Sequence, residues 1–449
     1  MCLIAAASSA LLLLNPQKAE PGASMWLFAR LHRDIYVSAV DDWNRTHTPR
    51  VNLTLLGVQA IEQRMLSSFL SRTKSADLLE VERRVAARAF AGPVESVGFL
   101  DLTERLKQDG LLDRINPSSF SPWTSRGHIF GLPHDVHPVM LGYRADIVEA
   151  AGIDVSTIET WDDFERVLTP LLLDANGARR TDRYLINLWE THQDTIEMLL
   201  LQAGGGTIDE RGLPILDSEV NADVLAQIVA WGHGPQRIAG DAPYFSASGN
   251  KLLLDGYVLA SFVPDWMCNI WRKEIPELSG KVKLMPLPAW TRGGRRTSAW
   301  GGTMLGISRD ATNPDELWTF AKHLYLSPEL SRRLFTEGDI ISPVKEFWSD
   351  PVYDTPDPYF RGQARGRAYV NLAPQTPPRH NSPFSILALT RLRAAATQLA
   401  AYADTHPPAT RDSLRPEAAR LLAEMQQDLM RHVRRNRFFA ESSERGAPP

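Results

Sequence analysis

The pattern of apolar and polar positions in the first hundred residues switches repeatedly between strand and helix periods. Short apolar or alternating runs rich in β-branched residues predict strands, and apolar residues at i, i+3, i+4 and i+7 predict amphipathic helices between them. The predicted strands cover residues 25–28, 51–58 and 76–82, and the predicted helices carry Tyr36, Val40 and Trp43 and then residues 61–70. This order predicts parallel βαβ units.

Further helices are predicted from capping signals. Thr160, with Asp163 three residues later, predicts a helix N-terminus. Asn313-Pro314 and Ser327-Pro328 each place a cap before a proline in the first turn. Two long helices are predicted over residues 382–402 and 416–433, and the proline-rich stretches 351–358, 374–378 and 406–408 are interpreted as surface loops.

Length and charge narrow the class of protein. A chain of 449 residues exceeds one ordinary core, so two lobes are expected. The net charge of −4 and the absence of a long Lys/Arg run argue against a nucleic-acid partner. The basic cluster Arg431, Arg434, Arg435 and Arg437 is interpreted as the last turn of a helix, where cations complement the dipole.

The N-terminal segment is the main indication of compartment. Residues 2–14 form an apolar run too short for a comfortable membrane span, which fits the h-region of a signal peptide, although no Lys or Arg precedes it. Export to the periplasm or cell exterior is therefore expected, with an uncleaved anchor as the alternative. Only Cys2 and Cys268 are present, so no disulfide is expected within the folded body.

The motifs of common enzyme classes are missing. There is no phosphate-binding loop, G-x-S-x-G elbow or H-E-x-x-H sequence. His134-Asp135-x-His137 has side chains that suit a metal, but no second cluster at convincing spacing completes a ligand set, so a polar loop is favoured. Glu80 and Glu82 share one strand face, as a glycosidase carboxylate pair could, but nothing else indicates acid–base chemistry. We expect no catalytic residue, metal or cofactor.

A series of short segments carries a resemblance to a known family. In order along the chain they are Asp77 to Glu82, Gly98-Phe99-Leu100-Asp101-Leu102, Gly127 to Pro133, Gly142-Tyr143-Arg144, Ala151-Gly152-Ile153, Thr160 to Phe164, Gly204-Gly205-Gly206, Val263-Pro264-Asp265-Trp266, Trp300-Gly301-Gly302-Thr303, Gly306-Ile307-Ser308 and Ile341-Ser342-Pro343. Each is weak alone, but their number and order make the chain resemble the extracellular solute-binding proteins of family 1, the sugar-capturing components of ABC transporters.

The resemblance implies an α/β fold of two lobes, each a mostly parallel sheet flanked by helices, with a ligand cleft between them outside the carboxyl ends of the strands. The expected divisions are residues 1–24 as the signal-like segment, 25–137 as the first part of lobe 1, 138–310 as mainly lobe 2 with crossover segments, 311–405 as returning helices and hinge segments, and 406–449 as the C-terminal helix and tail.

Residues that follow the strands are the candidates for ligand contact in such a cleft. The candidates are Arg30, His32, Glu82, Arg83, His134, Asp135, His137, Pro264, Asp265, Trp266, Trp300, Gly301 and Gly302. Aromatic faces stack on a pyranose while charged groups bond its hydroxyls. Structural interpretations stay open for Arg30 as a helix cap, for His32 as a surface residue and for Asp135 as a crossover residue, whereas Trp43 and Trp161 are expected in helix cores.

The expected function is capture of a carbohydrate or similar small polar ligand by closure of the lobes, as a monomer that delivers the ligand to ABC permease subunits. The His-rich and basic candidates, together with Arg295-Arg296, leave an acidic or phosphorylated ligand open. A secreted glycoside- or metal-dependent hydrolase, or a solute receptor not coupled to transport, remain the alternatives.

Overall fold

The computed structural model describes residues 22–439, so most of the signal-like segment and the end of the C-terminal tail lie outside it. The strands are β1 Ala23–Leu27, β2 Val51–Leu55, β3 Leu78–Glu82, β4 Thr124–Ser125, β5 His128–Ile129, β6 Leu132–Pro133, β7 Val139–Arg144, β8 Tyr184–Asn187, β9 Ala239–Gly240, β10 Val258–Pro264, β11 Val282–Pro286 and β12 Thr303–Ile307.

The α-helices alternate with these strands and then close the chain. They are α1 Arg30–Thr46, α2 Val58–Ser71, α3 Arg83–Ala89, α4 Thr103–Gln108, α5 Leu111–Arg114, α6 Ala145–Ala150, α7 Trp161–Leu168, α8 Gln193–Gln202, α9 Glu219–His233, α10 Ala247–Asp255, α11 Met267–Glu274, α12 Pro314–Tyr325, α13 Pro328–Gly338, α14 Arg365–Leu372, α15 Ser385–Thr405 and α16 Arg411–Arg435. Within residues 22–439, none of these helices has both the length and the apolar character needed to cross a bilayer.

The first sheet has five strands in the order β2-β1-β3-β12-β6. β1 pairs in parallel with both β2 and β3, which confirms the predicted βαβ units, while β12 runs antiparallel to β3. Strand alternation gives this sheet two apolar faces. Leu78 packs with the α1 side, and Leu79 and Val81 pack with the opposite side. Glu80, two residues from Leu78, therefore also faces α1.

The second sheet has the order β11-β7-β10-β8-β9 and lies in a separate apolar cluster. β10 pairs in parallel with β8 and antiparallel to β7, so the sheet is mixed. Each sheet with its helices forms one lobe, which confirms the expected two-lobed α/β fold. The expectation that each sheet is mostly parallel was wrong, because each has two parallel and two antiparallel pairings. Trp161 lies in the core of the second lobe and Trp43 in that of the first, as predicted.

Most predicted helix starts are confirmed. Thr160 forms a capping box with Asp163, and the Ser327 hydroxyl accepts a hydrogen bond from the Leu330 amide. Asn313 was wrong as a side-chain cap, because its side chain makes no capping bond although Pro314 does begin α12. The last helix begins at Arg411 rather than at Pro416, because Thr410 and Ser413 form a capping box that the proline pattern concealed.

Three crossover segments join the lobes. They lie between β6 and β7, between β11 and β12, and after α13 near Ile341. Backbone contacts tie them together: Pro138 bridges Ala299, and the Val136 amide donates to the Ile341 carbonyl at 3.2 Å. The crossovers meet at the carboxyl end of β3, where Glu82 is in register with Thr303. The space between the lobes opens at this edge.

Candidate ligand cleft between the lobes

A cleft of about 440 Å³ lies where the two lobes face each other. Loops after β1, β3 and β10 line it, as do the β11–β12 crossover and the first turns of α1, α8 and α11. The lining residues are Phe28, Ala29, Leu31, His32, Glu82, Arg83, Arg84, His137, Asp194, Trp266, Asn269, Ile270, Trp300, Gly301, Gly302, Thr303, Gly338, Ile340 and Arg379. Its volume is in the range of ordinary small-molecule sites, roughly 300–1,000 Å³.

Eight of the sequence candidates line this cleft, namely His32, Glu82, Arg83, His137, Trp266, Trp300, Gly301 and Gly302. The structure does not bring the other candidates to its surface. Arg30 points to solvent on the first turn of α1. The remaining four candidates are buried behind the wall of the cleft. They are His134 and Asp135 in the first crossover, and Pro264 and Asp265 at the end of β10.

The lobe 1 wall presents a carboxylate and a guanidinium next to each other. Glu82 ends β3 and is half-buried, and its side chain has no hydrogen-bond partner among the described residues. Burial and the charge of Asp194 raise the pKa of Glu82, although Arg84 opposes them. The Nη1 of Arg83 is buried and also lacks a partner within residues 22–439. The Glu82 carboxylate is therefore available to a polar ligand, with the buried Arg83 guanidinium next to it.

An ion-pair network connects this wall to the second lobe. Arg83 Nη2 donates to Glu197 Oε2 at 3.0 Å, and Arg379 Nε donates to the same oxygen at 3.1 Å. The Thr207 hydroxyl donates to Glu197 Oε1 at 2.8 Å. Burial by itself raises the pKa of Glu197, but Arg379 and Arg83 outweigh it and lower that pKa to about 2. The carboxylate therefore fixes two arginines of the cleft across the lobe boundary.

Aromatic rings form the lobe 2 wall. The Trp266 Nε1 donates to the Trp300 carbonyl oxygen at 2.9 Å, and the two rings meet edge to face at 6.1 Å. Phe245, an exposed side chain, stacks with Trp266 with ring centroids 6.1 Å apart. Such a surface can pack on the apolar face of a sugar ring, while the charged lobe 1 wall bonds its hydroxyls.

The floor of the cleft is a histidine held between two aspartates. His137 Nε2 lies 3.0 Å from Asp135 Oδ2, and its Nδ1 lies 2.7 Å from Asp265 Oδ1. Burial alone lowers the pKa of His137, but the charges of Asp135 and Asp265 overcome that effect and raise it to about 10. The second oxygen of Asp265 accepts from the Ile341 amide at 2.8 Å. This network ties two crossovers to the start of α11.

Glu80 does not share the position of Glu82. Its Oε1 lies 2.8 Å from His32 Nδ1, and its Oε2 accepts from the hydroxyls of Tyr36 and Tyr325 at 2.7 and 2.9 Å. The carboxylate is fully buried, so the two glutamates do not flank one substrate position as a glycosidase pair would.

Arg295 and Arg296 do not line the cleft. Arg295 Nη1 donates to the Leu201 carbonyl at 2.9 Å, and Arg296 Nη2 donates to the Ile158 carbonyl at 2.8 Å. Both guanidinium groups thus hold backbone carbonyls of lobe 2, one at the end of α8 and one just before α7.

Several cleft residues were missed by sequence reasoning. Arg379 follows the proline-rich stretch 374–378, which indicated a surface loop, yet its side chain is buried against Glu197. Asp194 lies in the first turn of α8, and each of its two carboxylate oxygens accepts from Arg84 Nη2 at 2.5 Å. An acidic residue opening a helix after a strand is the signal that could have identified Asp194.

Two lobes, three crossovers and a cleft at the strand ends define a two-lobed solute-binding protein. Comparison with known sequences agrees with this class. The family model described as bacterial extracellular solute-binding protein matches residues 31–329, well over half of the chain. The chain therefore belongs to the bacterial extracellular solute-binding protein family, whose members are binding proteins that act outside the cytoplasm.

The individual relatives and solved structures compared with this chain share low sequence identity with it. An arabinooligosaccharide-binding protein of Halalkalibacterium halodurans is 23% identical over 75% of this chain and 74% of its own length. One of Bacillus subtilis is 23% identical over 68% of this chain and 69% of its own. Among solved structures, the sugar-binding protein MalE from Xanthomonas citri matches with a TM-score of 0.71 at 16% identity, covering 91% of this chain and 99% of that one.

Proposed function

We propose that the protein captures an oligosaccharide in the cleft between its lobes and delivers it to the permease of an ABC transporter. The observation that carries this proposal is the opposition of a tryptophan wall to a charged wall across one cleft. The names of the relatives, which are arabinooligosaccharide-binding proteins, support a pentose oligosaccharide as the first ligand to test.

The charges of the cleft support a neutral ligand over an acidic one. Arg83, Arg84 and Arg379 are each paired with Glu197 or Asp194, and Glu82 adds a carboxylate. These three arginines of the cleft are therefore already neutralised by neighbouring acids. Hydroxyl groups, which both donate and accept, fit such a mixed set of charged partners.

Binding is proposed to close the lobes about the crossover segments. A ligand held between the two walls contacts both lobes only when they are closed, so it shifts the population toward the closed form. A permease would then dock on that form of the monomer. The segment of residues 1–24 would direct export, with cleavage or retention as an anchor both open. No step in this cycle requires a catalytic residue.

Calorimetric titration of variants with arabinooligosaccharides tests the assignment of the walls. Trp266→Ala removes the aromatic face and should weaken affinity about tenfold. Glu82→Ala removes a charged hydrogen-bond partner and should weaken it about 10- to 100-fold. The matched controls are Trp26→Ala and Glu104→Ala, which change residues outside the cleft and should bind like the unaltered protein. Equal affinity in all four variants would refute the proposed site.

A hydrolase remains the alternative of a different class. It would release reducing ends from the same oligosaccharides over time, whereas a binding protein returns them intact. Chromatography of the sugar after prolonged incubation separates the two functions.

A further inference from the structure

A cluster of two histidines and a glutamate lies in lobe 1 behind the cleft wall. His32 is in the first turn of α1, Glu80 is in β3, and His134 follows β6. One ligand atom from each of the three side chains lies within 4.8 Å of the others, and all three residues are buried. The residues are far apart in sequence, which is why the sequence pattern alone favoured a polar loop for His134.

His134 supplies the observation that points to a ligand. Its side chain is buried, with only 2% of the residue exposed, and its Nε2 has no hydrogen-bond partner among the described residues. Its other ring nitrogen, Nδ1, lies 3.1 Å from Asp135 Oδ2. Because a carboxylate only accepts, Nδ1 carries the proton and Nε2 keeps its lone pair. A carboxylate behind a histidine is the usual support of a metal-ligating imidazole.

The other two side chains lie close enough together to become neighbouring metal ligands after a small shift. His32 Nδ1 lies 2.8 Å from Glu80 Oε1. Two donors on one tetrahedral cation at bond lengths of about 2.0–2.2 Å are about 3.3–3.6 Å apart, so these two atoms would have to separate by roughly 0.5–0.8 Å to hold it. A cation between them would take the place of the shared proton. The second oxygen of Glu80 is held by the hydroxyls of Tyr36 and Tyr325, which leaves Oε1 free to ligate.

From this geometry we propose that His32, Glu80 and His134 bind one Zn²⁺ ion. Two imidazoles and one carboxylate form a ligand set that Zn²⁺ takes in four-coordinate sites, with a water or hydroxyl in the remaining position. Hard cations such as Mg²⁺ and Ca²⁺ take only oxygen ligands and should not compete. The ion would cross-link α1, β3 and the segment after β6, and it would fix His32, which also lines the cleft. The proposal does not depend on which solute the cleft binds.

Metal titration of the full chain, without a histidine tag and after dialysis against a chelator, tests the site. We expect one Zn²⁺ per chain by elemental analysis, retained in excess Mg²⁺. Co²⁺ in its place should give the intense visible absorption of four-coordinate cobalt. His134→Gln should weaken Zn²⁺ binding by about 100-fold or more, and Tyr325→Phe, which removes only one donor behind Glu80, by about tenfold.

The matched control is His128→Gln. His128 is a half-exposed histidine that also pairs with an aspartate, Asp101, and its loss should leave Zn²⁺ affinity unchanged. Unchanged affinity in His134→Gln, or the absence of stoichiometric binding to the unaltered chain, would overturn the proposal and leave a proton-bridged network only. If His134→Gln does not fold, the cobalt spectrum and the Tyr325→Phe affinity decide the question.

Discussion

The Nδ1 of His137 lies 2.7 Å from Oδ1 of Asp265, and this contact joins the first crossover between the lobes to the start of α11. Asp265 is fully buried and its other oxygen holds the Ile341 amide of the third crossover. One carboxylate thus ties together the segments about which the lobes are proposed to move.

Asp265→Asn should therefore destabilise the protein strongly. Removing one partner of a buried ion pair typically costs about 3–5 kcal/mol, because the remaining charge stays buried without compensation. Urea unfolding followed by circular dichroism gives the free energy of unfolding. The matched control is Asp404→Asn. Asp404 is largely exposed and also pairs with a histidine, His233, so its loss should cost no more than about 1 kcal/mol. If both variants lost the same free energy of unfolding, the contact between His137 and Asp265 would contribute no more to stability than an exposed ion pair.

Glu197 makes stability sensitive to acid. The pKa of its carboxyl in the folded protein is about 2, below its ordinary value of 4.5, because Arg379, Arg83 and the Thr207 hydroxyl face it and outweigh its burial. Because the folded pKa is depressed, the stabilisation is complete above pH 4.5 and is lost as the pH falls toward 2. Glu197→Gln should lower stability at neutral pH and flatten the acid limb of the profile. The unfolding free energy measured across this range provides the test.

The control for the acid profile is Glu104→Gln, since Glu104 is exposed and pairs with the exposed Lys107. That variant should keep the acid slope of the unaltered chain. An unchanged slope in Glu197→Gln as well would show that other carboxylates govern acid unfolding.

Gly301 is required by the close approach of the crossover to the cleft floor. Its φ is +125°, and an added Cβ would lie 2.5 Å from His137 Cδ2 and 3.0 Å from Trp266 Nε1. Neither ring can withdraw freely, since one is held by two aspartates and the other by the Trp300 carbonyl. Gly301→Ala should therefore weaken both folding and solute binding.

The variant Gly293→Ala separates the effect of backbone strain from that of steric clashes made by the added Cβ. Gly293 also has a positive φ, +69°, but nothing lies within 4 Å of an added Cβ. The Gly293→Ala variant should lose only the roughly 1–3 kcal/mol of stability that a positive φ costs a residue other than glycine. Its affinity for the solute should be retained. Thermal unfolding and calorimetric titration of both variants check this. Retained solute binding in Gly301→Ala would contradict the packing argument.

Local patterns were enough to predict most of the fold. Strand alternation around Leu78 and the capping signals at Thr160 and Ser327 depend on neighbouring residues, so they are visible in sequence. The second strand was predicted to run to residue 58, but it ends at Leu55 and Val58 already begins α2. The last helix begins at Arg411 and not at Pro416, because Thr410 and Ser413 form its cap.

The site was only partly predictable, because its contacts join distant segments. Trp266 and Trp300 were predicted from their Gly and Pro neighbours. Arg379 was not, because its burial depends on Glu197, which is distant in sequence. Asp265 followed a strand as a cleft residue should, but its side chain turned inward to pair with His137. The position of Asp265 in the sequence predicted that it follows β10, but it did not predict the direction of the side chain.

Capture of a sugar by the cleft is tested most directly by calorimetry of the unaltered protein. Separate titrations with arabinooligosaccharides, other mono- and oligosaccharides, amino acids and polyamines should give saturable one-to-one binding for an oligosaccharide and none for the nitrogenous compounds. Saturable binding of an amino acid or polyamine, with no heat from any sugar, would contradict the proposed function.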